Sequence, residues 1–109
     1  MTIQHKNLAS GRWQELSLTE QMANVGSEIS RAVHWHNIDK KLYEAAIARA
    51  LELLDFTIQD SRWHTRLKEL VRVRELICDA VFGDKAYKTS LKDLDKYFLS
   101  FAFAARIRK

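Results

Sequence analysis

The 109-residue chain has no proline, three glycines and one cysteine. Each scarcity excludes something. A β-rich fold turns at many corners and needs glycine and proline there, so their near absence favours long unbroken helices. A lone Cys78 cannot close an internal disulfide, so a secreted disulfide framework is excluded. No run approaches the roughly 18 apolar residues needed to cross a bilayer, so no membrane partner is expected. Met1 to Ser10 lack the charged-then-apolar layout of a signal peptide, which makes the cytoplasm the default compartment.

What is present is helical pattern. Hydrophobic residues make up 47% of the chain, enough for one core, and the length is that of a single domain. Residues 1–16 keep no steady period and contain Ser10-Gly11, a natural break, so they read as an irregular arm. Residues 17–109 read as the bundle. Ser17 with Glu20 forms a capping box, after which Leu18, Met22, Val25, Ile29, Ala32 and His36 recur at spacings of four and three. Asp39 caps a second helix with the stripe Tyr43, Ile47, Ala50, Leu54 and Ile58. Asp60 or Ser61 caps a third carrying Trp63, Leu67, Leu70, Val71, Ile77, Cys78 and Val81. Gly83 is placed to end it in the left-handed conformation. A loop with Asp84, Lys85 and Lys88 follows. Ser90 with Asp93 then caps a fourth helix with Leu91, Leu94, Phe98, Phe101, Ala102 and Ala105 inward. Short joints force neighbouring helices antiparallel, so the expected fold is an all-α, up-down-up-down four-helix bundle.

No pattern of catalytic or metal-binding chemistry emerges. No glutamate is followed three residues later by histidine, as a di-metal bundle requires. His34 and His36 lie about 200° apart around a helix and cannot grip one ion. Cys78 sits beside Ile77 and Val81, where a thiol packs as a small hydrophobe. There is no phosphate-cradling glycine loop or nucleophile elbow. The sequence therefore reads as non-enzymatic, with no cofactor.

Three features remain as candidates. Arg74 falls among Leu70, Val71, Ile77 and Cys78, and a buried arginine needs a carboxylate. Glu28 lies at a matching level, about 15 Å above its helix start against about 18 Å for Arg74 at 1.5 Å per residue. Asp95 is the rival partner, and a side chain tilted out along the rim is the plain alternative. The small residues Thr19, Ala23, Gly26 and Ser30 recur at spacings of four, three and four, which permits close helix approach. Tyr97 to Ala105 is apolar nearly all round, with Leu99 and Phe103 opposite the inward stripe. Together with Leu76 they form a candidate interface between like subunits, unless the arm covers them through Leu8 and Trp13.

The formal charge of +4 and pI near 9.4 admit an anionic partner. Arg62, Arg66, Arg106, Arg108 and Lys109, with Arg12 nearby, gather at one end of the proposed bundle. RNA or DNA is the candidate ligand there, although cations near a helix C-terminus also suit its dipole without any partner.

The runs SLTEQMANVGSEISRA from Ser17, RALELLDFTI from Arg49 and FAFAARIRK at the end resemble an uncharacterised family of short prokaryotic helical proteins. That resemblance spans nearly everything from Gly11 onward. It implies one domain and assigns no catalytic residue. In architecture, though not in motif, a short basic four-helix bundle is similar to the proteins encoded in ribosomal RNA intervening sequences. It is similar as well to the accessory variability determinant proteins of diversity-generating retroelements. Those groups form ring-like oligomers, and the second works with a reverse transcriptase and nucleic acid. The implied roles are a self-associating scaffold or accessory subunit, or a nucleic-acid-binding accessory protein.

Overall fold

The computed structural model describes residues 11–83 and 90–107. Four helices carry the fold: α1 (Leu18–Trp35), α2 (Lys40–Gln59), α3 (Leu67–Phe82) and α4 (Leu91–Ile107). Short 3-10 turns at Arg12–Glu15 and Ser61–Arg66 precede α1 and α3. No strand occurs among the described residues.

The caps of α1, α2 and α4 are those the sequence specifies. Ser17 Oγ accepts from the Glu20 N–H at 3.1 Å, and Glu20 Oε1 accepts from the Ser17 N–H at 3.0 Å. Asp39 accepts from the Leu42 N–H. The third start departs from expectation: Asp60 accepts from the Arg62 N–H and caps the 3-10 turn at Ser61–Arg66, where Trp63 is non-helical, and α3 itself begins at Leu67 with no side-chain cap. Ser90 and Asp93 exchange the same reciprocal pair. Gly83 departs from expectation: its φ of −93° and ψ of −168° are extended, so α3 ends without a left-handed residue.

Side-chain pairs fix the topology. Gln21 meets Asp60, Glu28 meets Arg49, and His36 meets Tyr43, so α1 and α2 run antiparallel. Ser30 donates to Asp95, and Gly26 lies against Phe98, so α4 is antiparallel to α1. Asp55 pairs with Arg74 while Val81 packs on the cluster of Ala46 and Ile47, so α3 is antiparallel to α2. Tyr97 pairs with Glu69 while Leu91 packs on the same cluster as Val81, so α4 is antiparallel to α3. The up-down-up-down bundle is thus the observed fold. Burial and the Glu69 carboxylate push the Tyr97 phenol up to about 12, so the phenol stays protonated and keeps donating to Glu69.

The helices are not equally close. α1 lies tight along both α2 and α4, whereas α3 approaches its neighbours at few positions. The small-residue strip explains one side: a Cβ on Gly26 would sit 2.6 Å from Phe98 Cβ, so only glycine allows α4 this near. Ala32, Ala46 and Ala50, all fully buried, fill the narrow seam between α1 and α2.

The largest departure is in the arm. Trp13 is fully buried and belongs to the core with Met22, Val25, Leu54, Leu70 and Phe98. The folded unit therefore includes the turn at Arg12–Glu15, which the sequence pattern assigned to an irregular arm. Leu8 lies outside the described residues.

α3 is also rotated relative to expectation. It buries Leu70, Val73 and Ile77, while Leu67 and Val71 are exposed. The rotation carries Arg74 from the centre of the apolar face to its rim, and burying that charge would cost more than burying Val71 gains. Leu76 turns with it, half-buried against the core, and is not part of an outer surface.

Candidate functional site

A polar cluster ties the start of α1 to the end of α2. The Trp13 indole N–H donates to Thr57 Oγ1 at 3.0 Å. Gln21, fully buried, donates to the Trp13 carbonyl at 2.9 Å and to Asp60 Oδ2 at 3.2 Å, and accepts from the Trp63 indole at 2.9 Å. Arg62 closes the cluster. Its guanidinium donates to Asp60 Oδ2 at 2.7 Å and to the Leu16 carbonyl at 2.8 Å, and lies 4.4 Å from the Trp63 ring centre. A buried polar network with its donors matched to acceptors rigidifies a core. The Gln21 signal was legible as a polar residue four before Val25, on the inward stripe.

This cluster redefines the basic end. Arg62 is a structural cation here, and Arg66 pairs with Glu69 at 2.8 Å. Arg106 lies instead in a shallow cleft between α1 and α4, beside Ala23, Gly26 and Ala102. Arg12 is exposed. Arg108 and Lys109 lie outside the described residues. Of the described cations at this end, Arg62 and Arg66 are thus each engaged by a carboxylate.

The Arg62 side-chain hydrogen bonds hold the Asp60 carboxyl below its usual range, against the opposing effect of burial. A depressed carboxylate contributes stability above the unfolded-state value near 3.9, and that contribution is lost as pH falls through the lower folded-state value. Acid unfolding should accordingly be steeper below pH 4 for the parent than for Asp60→Asn. Parallel acid limbs in circular dichroism would show that the pair contributes nothing.

The ion pair expected for Arg74 is corrected. Glu28 is buried and its oxygens are taken by Arg31 on its own helix at 2.7 Å and by Arg49 on α2 at 3.0 Å. Asp95 accepts from Ser30 on α1. Arg74 pairs with Asp55 on α2, its Nε at 2.7 Å and Nη2 at 3.5 Å from the carboxylate, and its Nη1 lies 3.6 Å from Cys78 Sγ. The physical reason is that α1 and α3 are diagonal in the bundle, so Arg49 and Arg74 each meet the carboxylate of an adjacent helix. Arg74 and Asp55 side chains are 40% and 41% exposed. Arg74→Ala should therefore cost no more than about 1 kcal/mol, the range of solvated pairs. A loss of 3 kcal/mol in urea unfolding would contradict the rim placement.

Among the described residues the outer face of α4 carries exposed apolar side chains. Leu99, Phe103 and Ile107 are 56%, 67% and 66% exposed. Spaced four apart, they line one side of the helix. Trp13, the proposed cover, is buried elsewhere and makes none. Sequence reasoning marked Leu99 and Phe103 but missed Ile107, which the same spacing of four identifies.

A second opening separates α2 from α3. It is a groove of about 620 Å³, with Leu51, Phe56 and Val81 on its walls and Glu44, Glu52, Asp55 and Arg74 around it. It exists because α3 stands off α2. Among the described residues no group of three histidine, cysteine or carboxylate side chains could hold a metal ion. No helix among them is long and apolar enough to cross a membrane.

Fold and surface together define an all-α four-helix bundle with an exposed apolar ridge on α4. Comparison with protein-family models, curated proteins and solved structures finds no match.

Proposed function

We propose that this protein is a non-enzymatic interaction subunit that associates with copies of itself through the outer face of α4. The supporting observation is the line Leu99, Phe103 and Ile107, three large apolar side chains more than half exposed on one helix face. Burying such side chains contributes roughly 1.5–3 kcal/mol each before the costs of association. Scattered exposed hydrophobics are ordinary, but a continuous apolar line is the pattern of a contact surface. The nucleic-acid reading has less behind it, because Arg62 and Arg66 already serve Asp60 and Glu69.

Light scattering at micromolar concentration should give a mass well above the 12.7 kDa chain. Leu99→Glu with Phe103→Glu should return the protein to monomer with its helical signal unchanged, since each change sets a charge in an apolar contact. A parent that stays monomeric across all concentrations would remove the reading.

A further inference from the structure

The end of the bundle opposite the Trp13–Gln21 cluster holds an open cavity of about 720 Å³. It lies where α1 ends and where α2 and α4 begin, and Val33, Ala80 and Leu91 give it apolar walls. That volume is in the range that small organic ligands fill. Five side chains bring polar hydrogens to it: His34 and His36 from the end of α1, Asn37 from the joint, Tyr43 from α2 and Lys92 from α4. None of the five makes a side-chain hydrogen bond or ion pair with another described residue. His34 touches only the Trp35 ring, and His36 the Tyr43 ring. Burial and the Glu44 carboxylate raise the Tyr43 phenol above its ordinary value, so it keeps its proton. No carboxylate stands among the described residues that line the cavity. The acids beside it in the chain are committed to helix starts, Asp39 to the Leu42 N–H and Asp93 to Ser90.

We propose that this cavity binds a small organic phosphate, with its phosphate group at Lys92 and the two histidines. A lining that offers donors and a cation, with no described carboxylate, selects an anion. The donors come from α1, the joint, α2 and α4, and so from several directions. A phosphate group presents three strong acceptor oxygens to such a ring of donors, whereas a carboxylate presents two in one plane. The walls at Val33, Ala80 and Leu91 call for an apolar body attached to the phosphate, because inorganic phosphate alone would leave them wet. The site is separate from the proposed self-association, since Leu99, Phe103 and Ile107 do not line it.

Isothermal titration calorimetry on the full chain, with 1-naphthyl phosphate, inorganic phosphate and 1-naphthoate as probes, tests the assignment. 1-Naphthyl phosphate should bind about tenfold or more tighter than either of the others. Its amide chemical-shift changes should centre on residues 33–38 and 91–92. Lys92→Glu, at an exposed position, should weaken binding about tenfold or more, and His34→Gln with His36→Gln should weaken it severalfold. Lys68→Glu makes the same charge change at an exposed site at the other end of the bundle, and should leave affinity within about twofold. The ridge variant Leu99→Glu with Phe103→Glu should still bind, which keeps this test apart from that of self-association. Inorganic phosphate or 1-naphthoate binding as tightly as 1-naphthyl phosphate overturns the ligand class. Equal losses in Lys92→Glu and Lys68→Glu overturn the site, and no binding of 1-naphthyl phosphate at about 10 mM overturns the proposal outright.

Discussion

Trp13→Ala should destabilise the protein by about 3–5 kcal/mol, the cost of emptying a large aromatic site in a packed core. Trp13 is fully buried among residues of α1, α2, α3 and α4, so no single helix can relax to fill the void. The substitution also removes the indole N–H that donates to Thr57. For a domain whose net stability is typically 5–15 kcal/mol, that loss is a large fraction of the whole. Trp13→Phe keeps most of the volume and should cost less, about 1–2 kcal/mol, through the lost hydrogen bond and a smaller void. Urea unfolding followed by far-ultraviolet circular dichroism gives both values. A Trp13→Ala midpoint within error of the parent would show that the turn at Arg12–Glu15 is peripheral.

Gly26→Val should cost about 3 kcal/mol, at the upper end of the range for overpacking. The first added carbon would lie 2.6 Å from Phe98 Cβ, closer than two carbons can approach, and a tight 3.2 Å from its Cγ. Helices α1 and α4 must separate to admit it, which would also stretch the hydrogen bond from Ser30 to Asp95. Gly26→Ala meets the same first contact, but alanine gains up to about 1 kcal/mol in helix propensity. Its net cost should therefore be smaller than that of valine. Phe98→Leu retains the carbon at the closest contact and should give no rescue in combination with Gly26→Val. A stabilised Gly26→Ala would mean that the two helices are free to move apart.

Local rules made the helices legible. The caps at Ser17, Asp39, Asp60 and Ser90 involve partners within three residues in the chain, so their chemistry can be read from spacing alone. The stripe Met22, Val25, Ile29 and Ala32 is buried as its period requires, because the α1 surface has one clear apolar side. Short polar joints then dictated antiparallel neighbours. The apolar line on α4 was likewise visible, since Leu99 and Phe103 lie opposite Leu94 and Phe98.

Arg74 shows where such reading ends. On α3 the apolar residues Leu67, Leu70, Val71, Val73, Leu76, Ile77 and Cys78 surround too much of the helix to define one face. Periodicity then leaves the rotation open by tens of degrees. Tertiary packing decided it, by the cost of burying a guanidinium and the availability of Asp55 on the adjacent helix. Trp13 and Gln21 show the same limit. No local period marks a tryptophan in a four-residue turn as core, and a glutamine on an inward stripe is costly until its partners are known. Those partners, Thr57, Asp60 and Trp63, lie 39 to 44 residues away in the chain. The sequence by itself determined that four segments are helical and where α1, α2 and α4 start, because those choices depend on neighbours along the chain. Only the tertiary structure decided which charges pair, which side of α3 faces inward, and how far α3 stands from α2, because each depends on groups brought together across the bundle.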